Sequence, residues 1–76
     1  MTLEEMNIPT EIKRAAADII ERIEDATGML DATMAGGVAE GFVLGLDCLK
    51  AVSPQHLDEL ERLFGKATDR KMALLR

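Results

Sequence analysis

Residues 36–50 most constrain the fold of this 76-residue chain, because their pattern predicts a helix that is apolar on two adjoining flanks. One flank consists of small residues at three- and four-residue spacing, and the other carries large apolar side chains. A helix that is apolar on two sides has to be covered on both. A flank of small residues also lets a second helix approach closely. We therefore predict a protein interface at Gly37, Gly41, Phe42, Gly45, Cys48 and Val52.

The chain is long enough for one small domain. A core of this size is usually worth only about 3–5 kcal/mol, so small domains often need a covalent or metal staple or a partner chain. Cys48 is the only cysteine, which excludes an internal disulfide, and with His56 it makes too few soft ligands for a closed zinc site. Association is the remaining route. We expect a homodimer built on the central helix, with a contribution from the helix before it. The alternative is that the other two helices cover both flanks of the central helix within one monomer.

That preceding helix has apolar residues at alternating steps of four and three, which is an a/d heptad seam: Ile12, Ala16, Ile19, Ile23, Ala26 and Leu30. Gly28 interrupts it and leaves two alternatives. The helix either spans residues 9–34 and ends at Gly36-Gly37, or it stops at Gly28 and a longer second helix begins near Asp31. We prefer the first alternative, because the seam continues through Leu30 and a Gly-Gly pair is the stronger break.

The predicted fold is all-α, a small three-helix hairpin or bundle in which two longer amphipathic helices flank a short apolar, glycine-rich one. The central helix is predicted at residues 38–51 and the third at residues 54–75, with Ser53 as N-cap and Pro54 in the first turn. Residues 9–76 would form a single helical domain. Residues 1–8 are expected to be flexible or to form a short helical turn, since Thr2 and Glu5 have capping-box spacing.

The net charge is −5, which disfavours non-specific attraction to nucleic acid or to anionic lipid. Part of the negative charge falls on one face of the first helix. We predict an acidic docking face there, formed by Asp18, Glu21 and Asp25. Two alternatives are a solvated face that keeps the protein soluble and an acidic mimic of nucleic acid.

Direct nucleic-acid binding is not expected. The second and third helices could form a helix-turn-helix, but the reading helix would present Asp58, Glu59 and Glu61 to the phosphates. A membrane partner is not expected either, because no uninterrupted apolar run approaches the roughly 18 residues of a membrane span. The first residues lack the basic-then-apolar order of a signal peptide, so we expect a cytoplasmic protein.

No catalytic constellation is evident. His56 is the only histidine, and Ser53, the only serine, is already explained as a helix cap. Cys48 falls in the C-terminal half of an apolar helix, where a thiol behaves as a small hydrophobic group. The sequence therefore predicts a protein that is not an enzyme and that uses no cofactor and no metal.

In general composition the chain is similar to very small acidic helical proteins of bacteria, phages and mobile elements, but no motif identifies a family. The main hypothesis is a non-enzymatic protein-binding module. It would act as an inhibitor, adaptor or regulator by occupying a surface of a larger protein, as a homodimer. The alternative is a structural or assembly protein whose role is self-association. A nucleic-acid mimic is a weaker third hypothesis.

Overall fold

The computed structural model describes residues 2–76 and consists of three helices that pack on one another: α1 over Thr10–Glu24, α2 over Met29–Leu49 and α3 over Pro54–Leu75. A short 3-10 helix at Leu3–Glu5 precedes them. No strand occurs within residues 2–76, so the predicted all-α class is confirmed. The Cα radius of gyration is 12.1 Å. A compact chain of this length is expected to have a radius of about 11 Å.

The predicted boundary between the first two helices is wrong. The first helix was placed at residues 9–34 and the second at residues 38–51, whereas α1 ends at Glu24 and α2 begins at Met29. Gly28 is the N-cap of α2 in a fully extended conformation. The Asp31 carboxylate accepts a hydrogen bond from the Thr27 backbone N–H at 3.1 Å, which satisfies a donor at the helix start. The second alternative was therefore nearer to the structure.

Gly36 and Gly37 lie inside α2, where a glycine costs about 1 kcal/mol relative to alanine. Tertiary packing offsets this cost, because α2 packs most extensively on α3. The buried flank of the first half of α2 consists of small residues, which brings the helices close together. A Cβ added at Gly36 would lie 3.8 Å from Thr68 Cγ2, in ordinary van der Waals contact. The buried alanines are Ala32, Ala35 and Ala39.

The connection from α2 to α3 is short and ordered by local hydrogen bonds. Lys50 adopts a left-handed conformation with a φ of 51°. The Ala51 N–H donates to the Leu46 carbonyl at 3.0 Å, the long bond of a Schellman motif. Ser53 Oγ accepts from the His56 backbone N–H at 3.2 Å, so Ser53 caps α3. This tight turn makes α2 and α3 run in opposite directions.

The N-terminal segment belongs to the core. Leu3 and Met6 are 7% and 1% exposed, and Ile8 packs against the same cluster. The Glu5 carboxylate accepts hydrogen bonds from the Thr2 backbone N–H at 2.8 Å and the Thr2 hydroxyl at 2.9 Å. Both bonds hold the pKa of Glu5 below its usual value, and the bond from the backbone N–H has the larger effect. Met1, the first residue of the predicted N-terminal turn, lies outside the described residues.

Side chains of α1 and α3 complete the bundle. Ala16 and Ile23 of α1 are fully buried, as is Leu60 of α3. The Lys71 ammonium donates to the Glu24 carbonyl oxygen at 2.8 Å, which satisfies an acceptor at the C-terminal end of α1. The apolar face of each amphipathic helix is therefore used inside the protomer.

Candidate protein-interaction surfaces

The exposed side of α2 is apolar over most of its length. All the large apolar side chains that remain exposed among the described residues lie on this helix, except Leu74. At 100° per residue, those from Leu30 onward fall with three glycines and Cys48 within an arc of about 140°. We call this arc the glycine face: Leu30, Met34, Gly37, Val38, Gly41, Leu44, Gly45, Cys48 and Leu49.

The three glycines of this face are open to solvent. A Cβ added to Gly37, Gly41 or Gly45 would meet no other atom within 4 Å. Cys48 is exposed as well. Neither α1 nor α3 covers this flank, so the protomer leaves it without a packing partner.

Two residues of the predicted interface lie elsewhere. Phe42 and Val52 are half-buried and pack against the core of the protomer. The Phe42 ring meets the Phe64 ring edge to face, with centroids 6.1 Å apart and planes at 73°. Both residues therefore support the fold, and the exposed surface begins beside them.

The glycine face contains residues that the sequence analysis did not assign to the interface. Leu30 and Leu49 are 75% and 80% exposed, and Met34 and Leu44 are also exposed. Leu30 was assigned to the heptad seam of the first helix. The sequence could have predicted this assignment, because a helix that begins at Met29 places Leu30 and Met34 in line with Gly37 and Gly41.

The heptad seam of α1 is used inside the protomer. Ala16 and Ile23 are fully buried, and Ile12 and Ile19 pack against the core cluster. The contribution of this seam to a dimer stays a prediction, and Ile12 and Ile19 are the members of the seam on α1 that keep some exposed surface.

The predicted acidic docking face lies on the outside of the bundle. Asp18 and Glu21 are exposed on α1, and Asp25 is exposed just after its end. They point away from the buried Ala16 and Ile23 by helical geometry. In the described part of the chain the one salt bridge is Arg62–Glu59 at 3.0 Å, so no cation within the protomer pairs with this face.

A groove that the sequence pattern does not predict runs between α2 and α3, and all of its described lining residues belong to these two helices. Its volume is about 570 Å³. Apolar side chains form its floor, among them Ala39, Val43 and Phe64. Carboxylates from both helices line it as well: Glu40, Asp47, Glu61 and Asp69. We call this feature the α2–α3 groove.

The structure also bears on the membrane and metal predictions. α2 is long and apolar enough to span a membrane by length and composition, with 28% of its most apolar window buried. The core helix of a water-soluble protein meets the same test, so the absence of a membrane partner stays a prediction. The length of the apolar segment no longer supports that prediction, because α2 is long enough to span a membrane.

No group of three or more potential metal-ligating side chains occurs within residues 2–76. His56 is half-buried in the first turn of α3.

Comparison with protein-family models, with curated proteins and with solved structures finds no match to this chain. The surfaces described above are therefore the basis for a functional proposal.

Proposed function

We propose that the protein is a small non-enzymatic binding module that forms a homodimer and acts as an inhibitor, adaptor or regulator on a larger protein. The observation that supports this most strongly is the glycine face. α2 is apolar on both sides, but only one side is covered within the protomer. An exposed apolar surface of this kind typically marks an interaction site.

A second copy of the chain is the occupant that fits the glycine face best. Gly37, Gly41 and Gly45 recur every four residues, so another helix backbone can approach along this line. Leu44 and Val38 beside them can fill the space above the glycines of a second copy. A two-fold dimer uses the same patch on both chains. A face that offers both small and large residues satisfies that requirement.

The larger protein would bind elsewhere on the dimer. The carboxylates Asp18, Glu21 and Asp25 remain exposed on α1 and have no partner cation within the described chain. Arg14 and Arg22 are exposed on the same side of α1, so this face has an excess of one carboxylate and not charge of a single sign. We expect a partner surface that is basic overall and that also has acceptors for these two arginines.

Two glycine variants test the dimer, because the same change is made on two surfaces. Gly41→Leu places a bulky side chain at the centre of the glycine face, and Gly65→Leu places it on α3. A Cβ at either position meets no atom within 4 Å, so both variants should fold. Light scattering after size exclusion should give a dimer for the unmodified protein and for Gly65→Leu, and a monomer for Gly41→Leu.

Two results would overturn the dimer: a monomeric unmodified protein at every concentration, or a Gly41→Leu variant that dimerises as well as Gly65→Leu. Oligomers that grow with concentration would instead favour an assembly role. Binding of the larger partner is tested by affinity capture with a charge-reversed variant, Asp18→Lys with Glu21→Lys, beside the unmodified protein. A protein captured equally well by this variant does not use the acidic face of α1.

A further inference from the structure

We propose that the α2–α3 groove binds a basic amphipathic helix of a partner protein. This inference rests on the proposed function in one respect, since it assumes a protein partner. The groove meets the edge of the glycine face at Leu44 but includes none of the three glycines of that face. The groove has an apolar floor, a length of about three helical turns and carboxylates contributed by both of its walls.

The shape of the groove favours a helix. Its lining residues extend from Gly36 to Asp47 on α2, which corresponds to about 16 Å at 1.5 Å per residue. On α3 they extend over a similar length, from Leu57 to Asp69. A straight groove between two helices accommodates the apolar side of a third helix, with anchors at i, i+3, i+4 and i+7.

The floor provides the apolar contact. Val43 and Phe64 are buried at its base, and Ala39 beside them is small enough to leave depth above it. The volume of about 570 Å³ lies within the range of roughly 300–1,000 Å³ typical of ligand-binding sites. The groove can therefore take several large apolar side chains of a partner.

The charge around the floor selects a basic partner. Glu40 and Asp47 are seven residues apart on α2, and Glu61 and Asp69 are eight apart on α3, so each pair lies on one face of its helix. No lysine, arginine or histidine is among the described residues that line the groove. A helix with lysine or arginine on both edges of its apolar stripe complements this arrangement, and an acidic helix is repelled.

The binding test uses a synthetic helical peptide of about four turns, with leucines at i, i+3, i+4 and i+7 and lysines on both flanks. A second peptide has glutamates in place of the lysines. Affinity is measured by calorimetry, and helix formation on binding by circular dichroism. The lysine peptide should bind and gain helicity, and the glutamate peptide should not.

Charge-reversed variants separate the groove from the overall negative charge. Glu61→Lys with Asp69→Lys should weaken binding of the lysine peptide by at least about tenfold. The matched control, Glu4→Lys with Glu11→Lys, changes the net charge equally at two exposed carboxylates that belong neither to the groove nor to the acidic docking face. It should change the affinity by less than about threefold. Equal weakening by the two variants would overturn the proposal, because the attraction would then belong to the whole protein.

Filling the groove provides an independent test. Gly65 lines it and has open space above its Cα, so Gly65→Leu should fold and lower the affinity for the lysine peptide. Gly41→Leu, outside the groove, should leave the affinity unchanged. Unaltered binding by Gly65→Leu, or binding of the glutamate peptide, would contradict the inference. A change in oligomeric state caused by Glu61→Lys with Asp69→Lys would show that the groove holds a second copy instead.

The two proposals fail in different ways. A monomeric protein that still binds the lysine peptide in the groove would contradict the dimer and support the groove proposal. A dimer that depends on Gly41 but binds no lysine peptide would contradict the groove proposal and support the dimer.

Discussion

Lys50 ends α2 in a left-handed conformation, with φ of 51° and ψ of 41°. It is the one residue other than glycine with a positive φ among those described. For an L-residue with a side chain this conformation costs roughly 1–2 kcal/mol, which glycine avoids. The helix keeps it because the Ala51 N–H can then reach the Leu46 carbonyl and close the helix end.

Replacing Lys50 by glycine should therefore stabilise the protein. We expect Lys50→Gly to raise the free energy of unfolding by about 1 kcal/mol, or Tm by roughly 4–8 °C. Thermal unfolding followed by circular dichroism measures this. Lys50→Ala is the control, because it removes the same side chain and retains the strain. A Lys50→Gly variant no more stable than Lys50→Ala would contradict the strained turn.

Several residue-level expectations follow from local chemistry, and the structure agrees with them. Ser53 caps α3 because serine before proline is a strong helix start, and Glu5 bonds back to Thr2 because their spacing allows it. These interactions join residues three positions apart, so the sequence contains all the information they need. Lys71 and Glu24 are 47 positions apart, and nothing local predicts their contact.

At the scale of elements, the central question was which glycines end a helix. The sequence predicts that the first helix ends at Gly36-Gly37, whereas both glycines lie inside α2, which begins after Gly28. Local propensity favoured the pair. Packing of Ala32, Ala35 and Ala39 against the rest of the bundle outweighs that preference, and a single sequence does not show such packing.

Two alanine substitutions test the position of this boundary. Gly36→Ala should stabilise the protein by about 1 kcal/mol, because position 36 lies within a helix and its Cβ makes only ordinary contact. Gly28→Ala should be neutral or destabilising, because alanine is a poorer N-cap than glycine. Chemical denaturation gives both values. The reverse order would place the helix break at Gly36-Gly37.

The interaction surfaces could be predicted only in part. The glycines of α2 and the acidic residues of α1 were assigned from helical periodicity, and their exposure agrees with that assignment. Phe42 is half-buried because its ring meets Phe64 of another helix, a contact that the sequence alone does not show. The α2–α3 groove was missed because its walls belong to two different helices, and its shape depends on how α2 and α3 pack.

For the whole molecule, a small core leaves little reserve of stability. Met6, Ile23 and Leu60 are its largest fully buried side chains, and they come from three different parts of the chain. Met6 precedes α1 in a segment that the sequence predicts to be flexible or to form a short helical turn, and a 3-10 helix is found there at Leu3–Glu5. Its burial makes the N-terminal segment part of the folded unit.

Truncating Met6 tests that conclusion. We expect Met6→Ala to cost about 2–5 kcal/mol, as for other buried methionines. That loss is comparable with the about 3–5 kcal/mol that a core of this size supplies. Met29→Ala is the control, since Met29 is 49% exposed, and it should change stability by about 0.5 kcal/mol or less. Equal effects in thermal unfolding would mean that the N-terminal segment does not support the fold.

The proposed dimer concerns the whole molecule and rests on the glycine face, which carries five of the seven large apolar side chains that remain exposed among the described residues. Sedimentation velocity over a wide dilution series measures it most directly, with the unmodified protein beside Gly41→Leu and Gly65→Leu. We predict twice the mass of one chain for the unmodified protein and for Gly65→Leu, and the mass of one chain for Gly41→Leu. A single chain at every concentration of the unmodified protein would contradict it.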